Sequence, residues 1–83
     1  MPELVLFKFD SCPYCRRVMS YLEGRDIEIE MRDTMRDAGA REELARIGGS
    51  TEVPCLIIDG TPLYESLDIM EWFEENWDEV SAN

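Results

Sequence analysis

Cys12 and Cys15, spaced by Pro13 and Tyr14, with Cys55 further along, are where this 83-residue sequence can do covalent chemistry. The thiolate is the nucleophilic form of cysteine, and a thiol at the start of a helix has a pKa of about 3.5 to 7.5 instead of about 8.5. Exposed backbone N–H groups and the positive end of the helix dipole both favour the anion there. A second thiol three residues on lies within one helical turn. The pair can then cycle between dithiol and disulfide, a two-electron exchange in which Cys12 attacks and Cys15 resolves. Three cysteines cannot close a purely internal disulfide framework, so a structural one is not expected. The chain has no His. A tetrahedral zinc site would therefore need all three cysteines plus a carboxylate or an outside ligand, and no metal is expected.

The pair has to be held between a strand and a helix. Leu4 to Phe9 is a nearly continuous apolar run, the pattern of a central buried strand, and it delivers the chain to Asp10-Ser11-Cys12. From Pro13, a residue suited to a first helical turn, Cys15, Val18, Met19 and Leu22 fall at i, i+3, i+4 and i+7, and Gly24 supplies a stop. Ile27 to Met31 alternates with period two and predicts a half-covered strand near an edge. Ala40 to Ile47 predicts a short helix ended by Gly48-Gly49. Cys55–Ile58, Asp59-Gly60 and Thr61–Tyr64 read as a hairpin whose second strand, carrying Pro62, lies at an edge. Ser66 is the expected N-cap of a last helix with an apolar stripe of Leu67, Ile69, Met70, Phe73 and Trp77. At this spacing Trp72, Phe73 and Trp77 are expected in the core. Strand-helix-strand, helix, hairpin, helix predicts a four-stranded mixed α/β sheet flanked by three helices, with the first two strands parallel.

Nineteen acids against eight bases give a formal charge of −11, and 45% of the residues are hydrophobic. That apolar share suits a single folded domain over residues 1–83, too small for a large internal cavity. Residues 1–41 hold seven bases and eight acids; residues 42–83 hold one base and eleven acids. A surface so charged repels phosphate backbones and anionic lipid, so neither nucleic-acid nor membrane partners are expected. No signal-peptide pattern or long apolar run occurs, and a soluble cytoplasmic monomer is expected. Only one base is lysine, Lys8. Proteins adapted to high salt and ordinary acidic domains share that balance.

Cys12-Pro13-Tyr14-Cys15 resembles the active-site motif of the glutaredoxins, members of the thioredoxin fold. Thr51-Glu52-Val53-Pro54 is similar to that family's segment ending in a cis-proline, and Asp59-Gly60 through Ile69 to its last hairpin and helix start. Phe7 to Cys12 and Tyr64-Glu65-Ser66 also resemble the N-terminal domain of glutathione S-transferases. The resemblance implies a glutathione-dependent dithiol oxidoreductase that reduces protein disulfides and glutathione mixed disulfides. Cys12 would take the glutathione sulfur, Tyr14 flank the tripeptide, Val53 offer its backbone, and Pro54 hold its loop against the cysteines. Glu65 and Ser66, with Asp68, match the γ-glutamyl site.

The sequence departs from the family at several points. Phe9 stands where many glutaredoxins have Lys or Arg, Asp10 lies close to Cys12 and disfavours its thiolate, and Tyr64-Glu65 replaces a common Gly-Gly pair. Arg16 and Arg17 directly follow the motif; one of them is expected to offset Asp10 and steer glutathione to Cys12. Cys55 reads as buried strand packing or as a redox-sensitive third thiol. Two other readings are a glutathione-ligated [2Fe–2S] carrier, with Cys12 of two chains as ligands, and a transferase-like binding domain.

Overall fold

The computed structural model describes residues 2–81, with side chains from 2 to 76; Trp77 therefore lies outside the described side chains. The elements run β1 (Leu4–Lys8), α1 (Pro13–Gly24), β2 (Glu30–Asp33), α2 (Ala38–Gly48), β3 (Cys55–Ile58), β4 (Thr61–Tyr64) and α3 (Ser66–Ser81). The sheet order is β2-β1-β3-β4, with β1 parallel to β2 and antiparallel to β3, and β4 antiparallel to β3. This is the thioredoxin fold that the resemblance implied. Among the described residues no helix is long and apolar enough to cross a membrane.

The second strand starts three residues later than its alternating pattern predicts. Asp26 takes a left-handed conformation (φ 56°), and the Ile27 amide donates to Leu22 O at 3.0 Å, so these residues close the end of α1. Ile27 is buried there without sheet pairing, which begins with Glu30 opposite Val5. α2 starts two residues early because Asp37 caps it: its Oδ1 accepts from the Gly39 and Ala40 amides at 2.9 and 3.3 Å. Arg32 in turn holds Asp37 at 3.2 Å and Glu43 at 2.7 Å.

Strand alternation divides the core into two layers. Leu4 and Leu6 pack with Val18, Leu22, Leu56, Ile69 and Phe73 beneath α1 and α3, while Phe7, Cys55 and Ile57 pack with Ala40 and Leu44 beneath α2. The aromatic ring of Trp72 meets Phe73 edge-on at 5.1 Å. On the surface above, the Arg25 guanidinium lies 3.8 Å from the centre of the Tyr21 ring and reaches Glu74 at 3.0 Å, tying α1 to α3. Asp59 (φ 48°) and Gly60 (φ 86°) make the two-residue hairpin turn, a geometry that needs positive φ at both positions. Pro62 lies opposite Ile57 on the outer strand β4.

Candidate active site

Where β1 ends, the Cys12 amide donates to Phe9 O at 3.2 Å, and Cys12 becomes the N-cap of α1. Its carbonyl accepts the first helical bond from the Arg16 amide at 2.9 Å, while its Sγ accepts from the Cys15 amide at 3.4 Å. A helix N–H is therefore aimed at the Cys12 sulfur, the arrangement that stabilises negative charge at that position. Cys12 retains 7% exposure, and Cys15, which faces the sheet, retains none. Burial pushes the Cys15 thiol up to about 12, opposed by the Phe9 amide beside it. The two thiols are thus unequal: one is reachable, the other enclosed and held neutral.

One open groove of about 730 Å3 brings Cys12 and Tyr14 together with Val53 and Pro54 and with Glu65 and Ser66, three separate stretches of the chain. The Val53–Pro54 bond is cis. Glu65 turns the chain into α3 in a left-handed conformation (φ 72°), unusual for a residue with a side chain, and its carbonyl accepts from the Ile69 amide at 3.0 Å. Ser66 is consequently the first helical residue and not the N-cap; it is 6% exposed. Its hydroxyl lines the groove and makes no hydrogen bond among the described residues, leaving it free for a ligand at a helix N-terminus. Asp68, in the same first turn, also lines the groove.

The expected partner of Asp10 is corrected by the structure. Lys8 Nζ reaches Asp10 at 2.7 Å and Asp33 at 3.5 Å, and Arg36 reaches Asp10 at 3.5 Å. Arg16 and Arg17 project outward from α1 and pair with neither carboxylate among the described residues; Arg17 lies 6.0 Å from the centre of the Tyr14 ring on the groove wall. Lys8 takes over because parallel pairing sets it directly opposite Asp33. Asp33 Oδ1 meanwhile accepts from the Met35 and Arg36 amides, which places Arg36 beside Asp10.

Two lining residues were misread or missed in the sequence. Leu67 is 67% exposed and forms part of the groove, not of the core stripe. The stripe that packs inward is Ser66, Ile69, Met70 and Phe73, also at i, i+3, i+4 and i+7, and a buried serine at its start conceals it. Tyr64 was read as a strand residue and as part of the Tyr64-Glu65-Ser66 resemblance, with no role of its own, yet it lines the groove and its Oη donates to Gly48 O at 3.1 Å. A side chain at Gly48 would collide with that hydroxyl, so the first position of the Gly48-Gly49 pair is reserved for the tyrosine. Cys55 is fully buried behind this wall, its thiol also pushed up by burial.

These thiols make stability depend on alkaline pH. Cys15 and Cys55 both have folded pKa values above the unfolded one, so the native state binds protons that the unfolded chain releases first. Their contribution is complete below about pH 8.5 and is lost as pH rises towards the folded value of Cys15, about 12. The expected result is a urea midpoint flat from pH 7 to 8.5 that then falls, with a shallower fall in Cys15→Ser. Equal slopes in both proteins would show that Cys15 carries none of it.

A dithiol at the start of the first helix of a thioredoxin fold, facing a cis-proline, defines the class of protein. The chain belongs to the family described as glutathione S-transferase, N-terminal domain, whose model matches residues 6–81. It is 36% identical over 76 residues to mouse (Mus musculus) maleylacetoacetate isomerase, covering 89% of this chain and 35% of that protein. To glutaredoxin 3 of Escherichia coli K12 it is 29% identical over 59 residues, 71% of each chain. Its fold overlays glutathione transferase Omega 3C from Trametes versicolor with a TM-score of 0.78 at 28% identity, covering 94% of this chain and 35% of that one. The chain thus spans about a third of the length of the isomerases and transferases it matches.

Proposed function

We propose that this chain catalyses glutathione-dependent thiol–disulfide exchange, reducing glutathione mixed disulfides and protein disulfides in the cytoplasm, with Cys12 as nucleophile and Cys15 as resolving thiol. The observation that carries this reading is the single groove joining the capped Cys12 sulfur to the Val53–Pro54 segment and to Glu65 and Ser66. A disulfide entering it meets the sulfur with an N–H behind it, backbone at Val53 for the chain of the tripeptide, and the open hydroxyl of Ser66 for a carboxylate. Cys12 attacks the substrate sulfur and forms a mixed disulfide, releasing the first thiol. A glutathione thiolate then attacks the sulfur bound to Cys12, forming a disulfide with it and releasing the Cys12 thiolate. In the other branch Cys15 attacks the Cys12 sulfur, expels the bound thiol and leaves a Cys12–Cys15 disulfide that two glutathiones reduce, leaving as glutathione disulfide.

The test is reduction of a glutathione mixed disulfide by glutathione, regenerated with glutathione reductase. Wild-type turnover is expected, retained in Cys15→Ser because outside glutathione can complete the cycle. A second reading, a glutathione-binding domain of transferase type, is favoured by the family match over residues 6–81. It requires the opposite result: no turnover, with glutathione still raising the melting temperature.

A further inference from the structure

Gly48 ends α2, and its carbonyl is one of the last four in that helix, which find no partner within the helix itself. Tyr64, the last residue of β4, donates to it through Oη at 3.1 Å. The Tyr64 backbone meanwhile stands opposite Cys55, the first residue of β3. One residue thus grips both ends of the loop that runs from Gly49 to Pro54. Within that loop the Glu52 amide donates to Ser50 Oγ at 3.1 Å, and among the described residues 50–53 make no hydrogen bond to the rest of the fold. Val53 and Tyr64 pack against one core cluster, and both line the groove. Directly after Tyr64, the left-handed backbone of Glu65 (φ 72°) brings Ser66 to the same groove. Tyr64 therefore stands between the two ligand-facing walls and is fixed to each. Burial raises its pKa, so the hydroxyl stays a donor at neutral pH.

We propose, resting on the exchange reading given above, that Tyr64 is a positioning residue for the glutathionyl part of the substrate, its hydroxyl on the Gly48 carbonyl fixing the span between the Val53 backbone and Ser66. Those are the two places at which that reading holds the tripeptide. A loop held at both ends in the free protein has less freedom left to lose on binding, which favours the complex without altering the sulfur exchange at Cys12. Without the hydroxyl the loop loses its side-chain tie at the Gly48 end, and each substrate molecule must order it on entry.

The experiment follows turnover of the mixed disulfide of glutathione and cysteamine across its concentration, with glutathione held fixed and regenerated by glutathione reductase. Tyr64→Phe keeps the ring and deletes the hydroxyl. Its KM for the mixed disulfide is expected to rise about three- to tenfold, the equivalent of one hydrogen bond, with kcat within about twofold of the parent. Gly48→Ala, whose methyl group displaces the hydroxyl, should raise KM equally. The double variant should raise it no further than either, because all three lack the same bond. KM unchanged in both single variants, rises that add in the double variant, or a fall in kcat matching the rise in KM overturns the proposal. The rise in melting temperature that a fixed concentration of glutathione gives is read beside these values and should shrink in Tyr64→Phe. A parent without turnover overturns the exchange reading, and the melting shift then decides the inference: a shift equal in parent and Tyr64→Phe, or absent from both, overturns it.

Discussion

Cys12→Ser is expected to lose glutathione mixed-disulfide turnover by about a thousandfold or more, since a serine hydroxyl in the same place is not ionised at neutral pH and cannot displace a sulfur. Neither remaining thiol can substitute. Cys15 has no exposure and a pKa of about 12, and Cys55 is fully buried in the other core layer, so neither meets an incoming disulfide. The loss should come without loss of fold, because a serine at the N-cap preserves an acceptor for the Cys15 amide, and serine is among the preferred caps. The measurement is the coupled assay beside a urea melt. Residual turnover within tenfold of wild type would show that the chemistry does not run through Cys12.

The second large effect is on stability. Phe73 is fully buried and sits in the cluster formed by Leu6, Val18, Leu22, Leu56 and Ile69, which joins α1, α3 and the sheet. Phe73→Ala removes that ring and its edge contact with Trp72 and leaves a cavity, at a cost of about 3–5 kcal/mol. A domain of this size has about 4–12 kcal/mol in total, so the variant should be largely unfolded or melt far below wild type. Leu67→Ala, six positions earlier on the same helix, should change the urea midpoint by well under 1 kcal/mol in free energy, because Leu67 faces solvent across the groove. Comparable costs for the two would mean that the inward stripe is not the one starting at Ser66.

What the sequence conveyed followed from local rules. The apolar run at Leu4, the i, i+3, i+4, i+7 stripe after Pro13 and the Asp59-Gly60 turn each specify their element from neighbouring residues, and β3, β4 and α1 begin and end where those rules put them. Cys12 at the helix start was legible for the same reason. The misreadings arose where pairing between distant segments decides. The partner of Asp10 depends on the β1–β2 register that sets Lys8 across from Asp33, a relation over 25 residues that no local pattern carries. Ile27 alternates like a strand residue yet closes a helix, because a left-handed Asp26 reverses the chain just before it. Leu67 was assigned inward because an apolar residue outweighed a serine, although the serine is the one buried.

Pro62 has a consequence for how copies of the molecule meet. It has no amide hydrogen to give, and it stands in the middle of the four-residue strand at one border of the sheet. A neighbouring chain trying to extend the sheet past β4 would find a gap in the donor row at its centre, so that border cannot template fibrous or swapped assembly. The opposite border, β2, is short and carries Glu30, Arg32 and Asp33, charges that discourage the same event there. Among the described residues, features that oppose strand-wise self-assembly thus stand at both borders of the sheet.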